Sequence, residues 1–253
     1  MARSLVRHPV GDDKIDDMTS LPPGAGRPRA ANDANRPPSG AREQILDAAA
    51  ELFIELGFAG ASTRAIAERV GIRQQSLYYH FAGKDDILVE LLSNSVRPSN
   101  EFVASIESRV PRDTSAAAAL YALALVDART LRSTPYNIGV LYLHPEVQDE
   151  RFERFRNERN QLRAAYGRLG VAASPDRAMN PDESMLGAVL IQVAEVIIQL
   201  RRDGEVRESD DATIAQSCLR LIGLTDSEIT RAIAEAQRVA IQARSAEFEL
   251  WRA

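Results

Sequence analysis

Between Ile72 and Phe81 the chain reads Arg73-Gln74-Gln75-Ser76-Leu77-Tyr78-Tyr79-His80. These side chains suit the edges of DNA bases. Gln can bond an adenine edge at two points, Arg a guanine edge, and Ser either, while tyrosines pack on sugars and thymine methyls. With about 100° per residue and Leu77 facing inward, Gln75, Ser76 and Tyr79 face outward, flanked by Gln74 and Tyr78. His80 and Lys84 lie at the far end, placed for phosphate. Arg73 stands at the helix start, where a cation opposes the dipole and a Ser or Asp would cap better. A local stability rule is broken there, and such breaks favour a functional reading. The bland alternative is an exposed polar helix with no ligand.

Such a helix needs a scaffold. Ile45, Ala49, Leu52, Phe53 and Leu56 recur at helical spacing and predict an amphipathic first helix that stops at Gly57. Ser62 can cap a second helix over Thr63 to Val70, and Gly71 permits a sharp turn into a third over about Gln74 to Phe81. Ala67 is small where these two helices must approach. Ile66, Val70, Ile72, Leu77 and Phe81 can pin the pair onto the first helix. Gly83 ends the third helix, and Asp85 and Asp86 open a fourth at its positive end, with Ile87, Leu88, Leu91 and Leu92 as the buried face.

The stretch Ala48-Ala49-Ala50-Glu51-Leu52-Phe53, then Gly57-Phe58, Ser62 to Ala67, Gly71-Ile72, Leu77 to Phe81 and Lys84 to Leu88 resembles the signature of the tetracycline-repressor (TetR) family. The resemblance implies an all-α homodimer. It implies an N-terminal three-helix DNA-binding head with a helix-turn-helix, and a C-terminal helical domain that binds a small molecule and dimerises. It implies phosphate contacts by Tyr78, His80 and Lys84, and base contacts by Arg73, Gln74, Gln75, Ser76 and Tyr79. Ser62, Thr63 and Arg64 join the DNA-binding set. The family often has Ser or Thr where Arg73 stands, Gly, Ala or Pro at Gln75, and an acid at Ala65. These departures leave the DNA sequence unpredictable by analogy.

The remaining chain reads as helical from about Thr114, with segments to Arg132, over about Asp149 to Leu169, over Glu183 to Arg202, around Ile214 to Ile222, and from Ser227 to about Glu249. The expected division is 1–38 as a disordered arm, 39–92 as the DNA-binding domain and 93–253 as the ligand-binding and dimerisation domain. Glu183 to Arg202 is apolar over more than one face. Such a helix is buried on two sides; the resemblance implies a four-helix dimer interface as the second side, with about Ala212 to Leu224 as its partner, and intrachain core alone is the competing reading. Tyr121, Tyr136, Tyr142, His144, Phe152 and Phe155 are candidate pocket-lining residues, with ordinary core as the competing reading of each. In the arm, Arg27 and Arg29 flank Pro28 in a tetrapeptide that resembles an AT-hook core suited to the minor groove; plain solubility accounts for it as well.

Composition narrows the class. The 253 residues carry a formal net charge of -5, so phosphate attraction must be local. One cysteine gives no disulfide framework, and three histidines, His8, His80 and His144, make a histidine metal site improbable. There is no phosphate loop and no Cys-His or Ser-His pairing at useful spacing, which argues against an enzyme and against a cofactor. No run approaches about 18 uninterrupted apolar residues, and no apolar signal core opens the chain. The expectation is a cytoplasmic, nucleoid-associated bacterial regulator whose partners are double-stranded DNA, a second copy of itself and a small-molecule effector, with no membrane. The rivals are an enzyme using the helical pocket and an architectural DNA binder led by the arginine arm.

Overall fold

The computed structural model describes residues 40–109, 114–175 and 182–242. The arm with Arg27 and Arg29, and the tail beyond 242, lie outside the described residues. The described residues are all-helical. Their α-helices are α1 (Ala41–Gly60), α2 (Thr63–Val70), α3 (Gln74–Tyr78), α4 (Lys84–Arg109), α5 (Ala116–Ser133), α6 (Glu153–Ala173), α7 (Glu183–Asp203), α8 (Asp210–Leu221) and α9 (Asp226–Gln242). Three short 3-10 turns occupy the stretch between α5 and α6.

The local signals act where the residue types predict. Gly57 takes φ 74 and breaks α1; one further turn follows, carrying Phe58 into the core. Ser62 accepts the N–H of Ala65 and so caps α2. Gly71, at φ 80, closes α2 in the left-handed conformation. Arg73 starts α3 with no side-chain cap. Ile45, Phe53, Ile66, Leu77 and Phe81 are buried together, and Ala67 lies in the same core. Leu56 departs from its expected place: it is exposed.

α3 is shorter than the periodicity suggests, ending at Tyr78 and continuing as a turn through His80. α4 is longer. It passes through Leu92 and Pro98 to Arg109, so the boundary expected between 92 and 93 falls inside a helix. Pro98 removes one helical N–H, but buried Val96, Ser99 and Phe102 keep the helix seated.

The C-terminal bundle centres on α5, where Ala118 to Ala128 are almost wholly buried. α6 and α7 cross closely. A Cβ on Gly187 would collide with the Arg163 carbonyl, and one on Gly167 with the Glu183 carbonyl. Among the described residues α7 is the one helix long and apolar enough to cross a membrane by length and composition. It buries one face, with Leu190, Ile191, Ala194, Ile197 and Ile198, and exposes Met185, Val189 and Val196.

Candidate nucleic-acid interface

The buried Leu77 fixes the roll of α3, and the polar residues around it face solvent. Tyr79 is 92% exposed, an unusual position for an aromatic ring. Arg73, Gln75, Ser76 and His80 are exposed beside it. The opposite edge is held by Arg42 of α1. Its guanidinium lies 4.2 Å over the Phe81 ring and donates to the His80 carbonyl at 3.0 Å. Arg42 was missed by sequence reasoning, because its position on the outer face of α1 gives no sign of that contact.

The flanking residues are tied together. Gln74 Nε2 donates to Thr63 Oγ1 at 3.0 Å and to Tyr78 Oη at 3.3 Å, and those hydroxyls lie 3.2 Å apart. Arg64 pairs with Glu68 on the same helix at 2.9 Å, which raises its pKa. Arg69 of α2 pairs with Glu51 of α1 at 2.6 Å and holds the two helices in register.

Lys84 serves the scaffold. Its Nζ donates to the carbonyls of Phe58 and Ala61, at 2.9 and 3.2 Å, and lies 4.4 Å from the centre of the Phe58 ring. Two of its three protons therefore serve the end of α1, and only the third can reach a phosphate.

The six candidate pocket residues sit in different surroundings, two of them in contact. Tyr121 is buried on α5 and Tyr136 is half-buried. Tyr142 and Phe155 stack at 5.2 Å, and the Tyr142 hydroxyl is 2.7 Å from Ser95 Oγ. Burial raises the Tyr142 pKa, keeping it neutral. Phe152 packs edge-on against Phe58 of the head. His144, half-buried, pairs through Nδ1 with the half-buried Glu146. None of the six lines the cleft of about 210 Å³ bounded by Ser115, Pro175, Leu224, Arg231 and Glu235.

Sequence reasoning also passed over the polar interior of the bundle. Asp127 is buried and accepts from Ser99 Oγ at 2.8 Å and Tyr166 Oη at 2.9 Å. Burial pushes its pKa up to about 6. Arg159 binds Glu195 through two nitrogens, at 2.8 and 2.6 Å. Asp127 is the sole acid of an Ala- and Leu-rich helix, a signal that could have found it. Among the described residues no group of three or more His, Cys, Asp or Glu could hold a metal ion.

Residues 45–91 match the family model described as bacterial regulatory proteins, tetR family. The chain is 44% identical over 54 residues to the HTH-type transcriptional repressor KstR2 of Rhodococcus jostii, covering 21% of this chain and 26% of that protein. It is 43% identical over 56 residues to the class D tetracycline repressor protein of Escherichia coli, again 21% and 26%. These matches span about a quarter of the curated relatives' length. The crystal structure of Mycobacterium smegmatis AmtR is 37% identical with a TM-score of 0.71, covering 81% of this chain and 97% of that one. Mycobacterium tuberculosis KstR2, at 19% identity and a TM-score of 0.57 over 74% of this chain and 94% of that one, shares the fold.

Proposed function

The chain belongs to the TetR family of DNA-binding, helix-turn-helix transcriptional regulators, and from that premise we propose that it is a homodimeric repressor released from its operator by a small molecule. The observation that carries the DNA-reading part is the outward face of α3. Gln75 and Ser76 stand exposed on a helix whose roll is fixed by the buried Leu77, and Tyr79 stands exposed in the turn that continues it. A major groove supplies the base edges and thymine methyls that such a face lacks.

The homodimer rests on the second face of α7. Met185, Val189 and Val196 recur at i, i+4 and i+11, and are exposed along with Leu221 of α8. A second copy related by a two-fold axis buries the same stripe against itself. Dimerisation pairs two α3 helices for half-sites about one helical turn apart. Release follows if the effector binds the geometry that no longer fits both half-sites; equal affinity for both geometries shifts nothing. We assign the effector to the C-terminal bundle and the protein to the bacterial cytoplasm.

Fluorescence anisotropy on a duplex from the protein's own promoter tests the reading. Tyr79→Ala and Gln75→Ala should each weaken specific binding by about 1–3 kcal/mol while the melting temperature holds. Unchanged specific binding in both variants would refute the assigned face.

A further inference from the structure

Gln74 and Gln75 are neighbours of one chemistry and opposite circumstance. The Gln74 amide is fastened to Thr63, the first residue of α2, and to Tyr78, the last residue of α3. Together they form a closed triangle across the helix-turn-helix, with sides of 3.0, 3.3 and 3.2 Å. Gln75 is exposed and has no partner among the described residues.

The protons of the triangle can be counted. The two hydroxyl oxygens stand about 60° apart at the Gln74 amide nitrogen, half the angle between its two N–H bonds, so one N–H is shared between them. One hydroxyl donates to the other. One hydroxyl proton is left to point out of the triangle, and a backbone phosphate oxygen is the acceptor that DNA offers to it. For Gln74 to read adenine, it must give one N–H to N7 and accept at its carbonyl from N6. Swinging both amide atoms onto one base edge draws Nε2 away from the two hydroxyls it now faces. Gln75 can make the same two bonds with nothing to break.

We propose that Gln74 is a positioning residue, holding the Thr63 and Tyr78 hydroxyls for one phosphate, and that Gln75 is the glutamine that determines base preference. This rests on the major-groove reading above. It separates the two glutamines, for both of which the family resemblance implies base contacts.

The test uses the full chain and duplexes selected from a random library by the wild-type protein. Gln74→Ala should select the same consensus and bind selected and scrambled duplexes equally less well, by about three- to tenfold, the size of one hydrogen bond. Gln75→Ala should lose preference at one base position and leave scrambled binding unchanged. In a Thr63→Val, Tyr78→Phe background the Gln74 amide has nothing to hold, so adding Gln74→Ala should change affinity less than about twofold. A consensus altered by Gln74→Ala overturns the positioning role, as does a full loss retained in that background. A consensus unaltered by Gln75→Ala overturns the specificity role. If the wild-type chain selects no consensus, sequence-specific reading fails and this assignment with it; if it selects one and only the variants misbehave, this assignment alone fails.

Discussion

Arg151 Nη1 lies 2.6 Å from Asp85 Oδ2, joining the segment that precedes α6 to the first turn of α4. The same arginine is 2.9 Å from Asp149, whose pKa falls because Arg151 hydrogen-bonds its carboxylate. Next to this pair, Phe152 packs edge-on to Phe58 with ring centres 6.2 Å apart. The DNA-binding head thus touches the C-terminal bundle through an exposed charge pair and a buried aromatic pair, among other described contacts and the shared α4.

The two contacts differ in strength. Asp85 and Arg151 keep 33% and 55% side-chain exposure, so solvent screens them, and a double-mutant cycle should give below about 1 kcal/mol. Phe152 is fully buried, and Phe152→Ala should cost about 3–5 kcal/mol in urea unfolding. A cycle energy above that of the phenylalanine truncation would reverse this ranking.

Lys84→Ala should damage stability as well as DNA binding. It strips the Phe58 and Ala61 carbonyls of their donor, a loss of about 1–3 kcal/mol. DNA binding should weaken alike on all sequences, with a flatter salt dependence. A variant that melts like the wild type but binds DNA poorly would mean that the ammonium serves phosphate alone.

The crossing of α6 and α7 should resist any side chain at Gly187. Its Cβ would meet backbone, which cannot turn aside, so Gly187→Ala should cost about 1–3 kcal/mol. Gly83→Ala, with nothing within 4 Å of the added atom, should be close to neutral. Equal melting temperatures for the two variants would contradict the close approach.

Asp127 gives stability a pH dependence of its own. Its pKa is raised to about 6 in the folded chain from the ordinary aspartate value of 3.8, so folding favours the protonated acid. The contribution is complete below about pH 4 and is lost as pH rises through about 6, by about 3 kcal/mol at most. Asp149 and Glu228, held low by hydrogen bonds from Arg151 and Thr225, push the opposite way near pH 4. The difference between wild type and Asp127→Asn therefore isolates the effect. That difference should slope between pH 4 and 6 and level off above; a flat difference would show that Asp127 titrates as an ordinary carboxyl.

The sequence by itself determined the head. Gly57, Ser62 and Gly71 act through backbone conformation and local capping, which need no distant partner. Ile45, Phe53, Ile66 and Leu77 reveal their buried face by spacing alone. The roll of α3 followed from Leu77, and so did the exposure of Gln75, Ser76 and Tyr79.

Only the tertiary structure decided what joins residues far apart in the chain. Pro98 disguised the continuation of α4, because propensity penalises a missing N–H that packing of its neighbours outweighs. The place of Lys84 beside phosphate is legible in the sequence, but the hold of Phe58 and Ala61, more than twenty residues earlier, on two of its protons is not. Gln74 and Gln75 are identical in type and adjacent in sequence. What separates them is Thr63, brought beside Gln74 by the turn at Gly71, since a hydrogen bond depends on where the fold puts its acceptor.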